Sequence, residues 1–197
     1  MTDVAFGNLA HDSARAFRPI LDAMANPGKI YSFNPPVQAP AELGPEAAAV
    51  ALALCDFQSS IWLESSLRIA EIPQYIRFHT GAPITSSKPD AMFAFIDAAR
   101  AVPDLADFPM GTQDYPDRSV TLVIKAERLT NNSDVTLKGP GIQSTRGFGA
   151  APVSPTFWHS MIASRTGFPL GMDIIFVGNH QVAALPRSTQ ISIDGAA

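Results

Sequence analysis

Apolar positions along this chain follow two rhythms, one of helical period and one of short unbroken runs. Phe17, Ile20, Leu21 and Met24 recur at helical spacing behind His11-Asp12-Ser13, which can cap a helix. Pro19 is best tolerated in a first turn, so the regular helix is predicted from about Arg18, and Asn26-Pro27-Gly28 stops it. Glu46 to Cys55 is Ala-rich and helical, and Pro73 to His79 reads as a helix end closed by Thr80-Gly81-Ala82-Pro83. Pro103 to Phe108 suits a helical turn. Ser154-Pro155 should cap and start a helix carrying Trp158, Met161 and Ile162.

The unbroken runs read as strands: Lys29 to Phe33, Ser60 to Glu64, Ala91 to Ile96 and Val120 to Ile124. Val135 to Lys138 is expected to pair with the last of these across a turn at Leu129 to Asp134. Phe168 to Thr189 reads as a strand, a polar turn and a second strand running into Pro186-Arg187-Ser188-Thr189, and Gln190 to Ile193 follows as a last strand. Asn34 to Pro45, with four prolines, is an extended connection. Strands without alternation are buried on both faces, and here they alternate with helices. The expected fold is therefore α/β, a three-layer sandwich around a mixed, mostly parallel sheet, in one domain over 1–197.

Composition narrows the function. With 46% hydrophobic and only 16% charged residues, much of the surface must be uncharged, as in proteins that contact other subunits. A net charge of −4 argues against nucleic-acid binding. Of the fourteen cations four are lysines, which leaves ten arginines, the residue suited to bidentate anion contacts or to ion pairs. The single cysteine, Cys55, excludes an internal disulfide and a cysteine metal cluster, and its apolar surroundings suit core packing. A basic start followed by an apolar run is missing at the N-terminus, and no segment approaches a membrane span, so a cytoplasmic location is expected.

Few constellations could carry chemistry. Gly139-Pro140-Gly141-Ile142-Gln143-Ser144 imitates a dinucleotide loop but lacks its third glycine, and it suits a tight turn better. Arg77, His79 and Thr80 gather a cation, an imidazole and a hydroxyl at a helix end, as a phosphate contact or as an ordinary helix terminus. Asp173 precedes Ile174-Ile175-Phe176-Val177, and Arg187 is its natural partner if the two strands lie side by side. Arg187, Ser188 and Thr189 could then form an anion pocket or a subunit contact near Asp173, Arg77 and His79. Four scattered histidines give no metal motif, no serine elbow occurs, and none of Lys29, Lys88, Lys125 or Lys138 sits in a phosphate cup. Read physically, the residues stop at an α/β domain with a candidate anion site and no complete catalytic set.

Short motifs carry the reading further: Ala16-Phe17-Arg18 with Ala23-Met24 and Pro27-Gly28; Arg77-Phe78-His79-Thr80 with Ala82-Pro83; Gly111-Thr112; Leu137 with Gly139 and Gly141-Ile142; Phe168-Pro169-Leu170-Gly171 with Asp173; and Pro186-Arg187 with Thr189. In this order and spacing the chain resembles the PhnH family, the H subunit of the bacterial carbon–phosphorus lyase core complex. The resemblance implies a fold similar to the large domain of fold-type I pyridoxal-phosphate transferases, with the cofactor lysine lost and no cofactor bound. It implies a supporting part in making α-D-ribose 1-methylphosphonate 5-triphosphate from ATP and methylphosphonate, alongside G, I and J subunits, with the I subunit as the presumed catalytic centre. It also implies a homodimer in isolation. A stand-alone pyridoxal-phosphate transferase and a phosphonate-binding module are the alternatives.

Overall fold

The computed structural model describes residues 5–100, 104–165 and 167–193. Helix α1 (Leu9–Ala25) starts earlier than its proline suggested, because Asn8 caps it. The Asn8 side chain accepts from the His11 N–H at 3.2 Å, while Asp12 accepts the Asn8 N–H at 2.8 Å. Pro19 lies inside the helix rather than in its first turn. The buried stripe is also rotated from the expected one. Ala16, Ile20 and Ala23 face the core, whereas Phe17 and Leu21 stand exposed.

Strand β1 (Tyr31–Ser32) leads through the proline-rich connection to α2 (Pro45–Leu54), whose Pro45 takes a first-turn position. Next come β2 (Ile61–Leu63), α3 (Glu71–Thr80), β3 (Ile84–Thr85), β4 (Phe93–Asp97) and β5 (Thr121–Lys125). Strand β6 (Arg128–Lys138) and β7 (Arg146–Ala151) precede α4 (Pro155–Ser164), β8 (Asp173–Gly178), β9 (Gln181–Leu185) and β10 (Gln190–Ser192). Ser154 caps α4, its side chain accepting from the Phe157 N–H.

The main sheet has seven strands in the order β1-β9-β8-β5-β4-β2-β3. From β8 across β5, β4 and β2 to β3 the neighbours are parallel, and β9 and β1 add antiparallel at the other side. A second sheet, β10-β6-β7, is antiparallel. This corrects the expected pairing of Val135 to Lys138 with Val120 to Ile124. Residues 129–134 continue β6 through a register shift instead of turning, and β6 bonds to β7, a strand too rich in glycine and alanine to stand out in the sequence.

Alternation along the central strands sorts the core into two. Leu122, Ile124, Ile174 and Phe176 face one side, and Val123, Ile175 and Val177 the other. Helices α1, α2 and α3 cover the second side with small or branched residues such as Ala48, Ala49, Val50, Ile72 and Ile76. On the first side the covering layer is the small sheet with α4, not helices alone. There Phe148, Phe157, Trp158 and Phe176 form a ring cluster with centroids 5.3–6.4 Å apart.

Candidate functional site

Since five parallel strands run side by side, the sheet has an amino edge and a carboxyl edge, and polar chemistry collects at both. At the amino edge, β8 and β9 pair with Ile174 opposite Leu185, which brings the start of β8 beside the residues leaving β9. Asp173 and Arg187 meet there. The Arg187 backbone N–H donates to Asp173 Oδ1 at 2.7 Å, its Nε lies 3.3 and 3.2 Å from the two carboxylate oxygens, and its Nη2 reaches Oδ2 at 2.5 Å. Nη1 donates to the carbonyl of Pro116. Both side chains are largely buried, with 18% and 13% of their surface exposed, so the pair sits where its charges are poorly screened.

A second arginine, which the sequence did not single out, completes this cluster. Arg165, just past the end of α4, donates from Nη1 to the carbonyls of Pro186 and Thr189, and from Nη2 to those of Leu185 and Met172. Burial pushes its pKa down to about 10, a shift opposed by the Asp173 carboxylate and reinforced by the nearby Arg187 charge. At neutral pH it remains a cation held by backbone carbonyls. The Asp173 carboxylate thus pairs with Arg187 and acts through space on the Arg165 charge. The only hint in the sequence was an arginine at a helix C-terminus, which is ordinarily a solvated position.

Pro186 to Thr189 is a turn, closed by the Thr189 N–H on the Pro186 carbonyl at 2.8 Å. Thr189 is buried and Ser188 half-buried, so neither hydroxyl-bearing residue is displayed as an open anion cup. Arg77, His79 and Thr80 lie elsewhere. They end α3, which leads into β3, four strand spacings from β8 and so about 19 Å along the same edge. Thr80 Oγ1 donates to the Ile76 carbonyl at 2.7 Å and accepts from the Ala82 N–H, His79 packs against Tyr75 and Phe78, and Arg77 is exposed. The structure therefore joins Asp173 with Arg187 and separates both from the α3 trio. One pocket holding all seven residues does not form.

Gly139 to Ser144 begins the β6–β7 connection. A Cβ on Gly141, whose φ is +81°, would lie 2.3 Å from the Ala25 carbonyl oxygen, so glycine is needed for the close approach to the end of α1.

The carboxyl edge carries a different arrangement. A cavity of about 390 Å³ opens beyond the ends of β4, β5 and β8, against the start of α2. Its polar lining comes from Glu46, Asp97, Lys125, Glu127 and Asn179. Lys125 donates to the Glu42 carbonyl at 2.6 Å and stands 3.6 Å from Asp97. Glu46 accepts the His180 N–H at 2.9 Å, which fixes the left-handed Asn179-His180 turn of the β8–β9 hairpin to α2. In the sequence, Asp97 and Lys125 directly follow the strand runs Ala91 to Ile96 and Val120 to Ile124, and Glu46 opens the Ala-rich helix, so none of them stood out as a site. Among the described residues no group of three or more His, Cys, Asp or Glu could hold a metal ion. Cys55 is buried, and burial pushes its thiol pKa well up, which suits packing rather than nucleophilic attack.

Comparison with known proteins identifies the lineage of this frame. The family described as bacterial phosphonate metabolism protein (PhnH) matches residues 4–192. The chain is 36% identical over 187 residues to the alpha-D-ribose 1-methylphosphonate 5-triphosphate synthase subunit PhnH of Rhizobium meliloti (strain 1021), covering 95% of this chain and 94% of that protein. It is 28% identical over 181 residues to the putative C-P lyase subunit protein HtxG of Stutzerimonas stutzeri, covering 92% and 86%. With the match running from before α1 to the end of β10, the chain belongs to the bacterial phosphonate metabolism protein (PhnH) family.

Proposed function

We propose that this chain is a supporting subunit of the carbon–phosphorus lyase core complex, needed for synthesis of α-D-ribose 1-methylphosphonate 5-triphosphate from ATP and methylphosphonate. The observation that carries this reading is the 36% identity to a named subunit of that synthase over nearly the whole of both chains. In the reaction a phosphonate oxygen bonds to the ribose carbon that carries adenine, and the bond to adenine breaks. The chain acts as one domain over 1–197 in the cytoplasm, with G, I and J subunits as partners, and forms a homodimer when isolated. The I subunit supplies the displacement centre. Among the described residues no helix is long and apolar enough to cross a membrane, which fits this setting.

The arrangement of donors favours a contact role over an anion pocket at the amino edge. Arg187 turns its Nε and Nη2 toward Asp173, and Arg165 directs both terminal nitrogens at backbone carbonyls. The sheet is read as a scaffold akin to the large domain of fold-type I pyridoxal-phosphate transferases, working without the cofactor. Supporting this, Lys125 and Lys88 are each engaged with a carboxylate and a backbone carbonyl. Protein as purified, with no pyridoxal phosphate added, should be colourless, and borohydride should trap no adduct on any of the four lysines.

The functional test is reconstitution. Partner subunits with ATP and methylphosphonate, followed by phosphorus NMR, should give the ribose 1-methylphosphonate product only when this chain is present. Full product formation in its absence would refute the reading.

A further inference from the structure

Among the described residues, eight large hydrophobic side chains stand exposed, and five of them lie in the segments that lead into the parallel strands. Phe57 (72% exposed) precedes β2, Phe78 (69%) precedes β3, Met92 (47%) precedes β4, Tyr115 (50%) precedes β5 and Phe168 (66%) precedes β8. Each parallel strand of the main sheet is thus led in by one exposed apolar side chain. With strands about 4.8 Å apart, these lead-ins span about 19 Å along the amino edge. We propose that this apolar row is the docking face for another subunit of the synthase, one that meets it with an apolar surface and a carboxylate opposite Arg77.

Scattered exposed hydrophobics need no explanation, but a row repeated at successive strands and held in place does. Both ends are braced. At the β2–β4 end, the Met92 N–H donates to the Ser60 carbonyl at 2.9 Å, and Ser60 Oγ donates to the Asp90 carbonyl. Gly81, at φ +74°, lets the end of α3 close on Phe57, whose Cβ lies 3.4 Å from where a Gly81 Cβ would stand. At the β5–β8 end, the Gly171 N–H donates to the Met110 carbonyl at 3.0 Å, and Arg187 holds the Pro116 carbonyl next to Tyr115. Arg187, held by Asp173, therefore steadies the loop that presents Tyr115, and the Gly171–Met110 bond ties the segment carrying Phe168 to it. Apolar side chains on a braced frame lose little freedom on docking, which favours binding.

The occupant follows from charge, size and kinship. Arg77 is exposed beside Phe78 and belongs to no ion pair among the described residues, so an acidic group on the partner would complement it. A row of about 19 Å can form the apolar centre of a standard interface, which buries about 800 Å² on each partner. Both curated relatives are named as subunits, and the inference rests on the proposed subunit role.

The test is co-expression of tagged full-length chain with the partner subunits and quantification of the retained complex. Three ridge forms are compared with wild type: Phe57→Ser with Phe78→Ser, Phe168→Ser, and Arg77→Glu. Phe17→Ser and Leu21→Ser, two other exposed apolar positions on α1, serve as controls, and thermal melts confirm that every variant folds. Loss of partner retention by about tenfold or more in the folded Phe57/Phe78 double variant, with the α1 controls unchanged, is the expected result. Folded ridge variants that retain partners fully would overturn the docking face while leaving the subunit role intact. So would loss confined to the α1 variants, or ridge variants that only dissociate a homodimer. Failure of wild type itself to capture partners would overturn the subunit role, and the docking proposal with it.

Discussion

The two edges of the parallel sheet make opposite use of their charged residues. At the carboxyl edge the cavity beside α2 is open, and its carboxylates outnumber its single lysine, which is already engaged by Asp97 and the Glu42 carbonyl. At the amino edge two arginines and an aspartate are drawn inside and matched to one another and to backbone carbonyls, while large apolar side chains project outward. Open α/β sheets usually place ligands beyond the carboxyl ends of their strands. An amino edge braced by a largely buried ion pair and by an arginine on backbone carbonyls is better suited to holding a surface in shape. An arginine next to Pro, Ser and Thr need not mark an anion site, because here the Arg187 guanidinium faces inward, onto Asp173.

The largest expected effect comes from removing the Asp173 carboxylate, which pairs with Arg187 and offsets the nearby Arg165 charge. Asp173→Asn should lower stability by about 3–5 kcal/mol in urea unfolding, since Arg187 and Arg165 would remain partly buried without it. Arg187→Met should lose less, about 1–3 kcal/mol, because Asp173 keeps Arg165 nearby while losing hydrogen bonds. Equal losses from the two variants would show that the Arg165 charge does not act on Asp173. At the other edge, Lys125→Met should change stability by under about 1 kcal/mol, as expected for a partly exposed pair. A much larger loss would mean that the carboxyl edge is braced like the amino edge.

A smaller effect concerns Glu64, which lies at the carboxyl end of β2. Burial raises its pKa, but the Ser65 and Ser66 hydroxyls and the Ser66 N–H hold the carboxylate and bring the pKa below its ordinary value. The folded state therefore prefers the ionised form. This contribution is present above the unfolded pKa and is lost as pH falls through the lower folded one. Glu64→Gln should flatten that part of the acid unfolding curve, and an unchanged slope would remove Glu64 from the account.

Much of the scaffold was legible in the chain. Continuous runs such as Leu122-Val123-Ile124 and Ile174-Ile175-Phe176-Val177 announced strands buried on both faces, and the sheet contains them at its centre. Gly81 after the α3 pattern, and Ser154-Pro155 before α4, marked helix boundaries correctly because caps are local. Of the second sheet, Val135 to Lys138 and Gln190 to Ile193 were legible as strands, but their pairing with each other and the strand β7 were not. A register shift inside Thr130 to Val135 and a short β7 of glycine and alanine blur the period-two pattern, while Leu129, Val135, Phe148 and Ala150 still face the core. The Phe17–Leu21 stripe also misled, since close packing on α1 selected alanines for the buried face. Asp173 and Arg187 could be paired from strand adjacency, whereas Arg165 could not, because its burial depends on the β9–β10 connection folding over it.

Membership of this chain in a carbon–phosphorus lyase assembly can be read from the native mass of the complex purified after co-expression with the G, I and J subunits. One species containing this chain in fixed stoichiometry with its partners is expected. Recovery of the chain alone, with the other subunits assembling fully without it, would show that it is not a subunit.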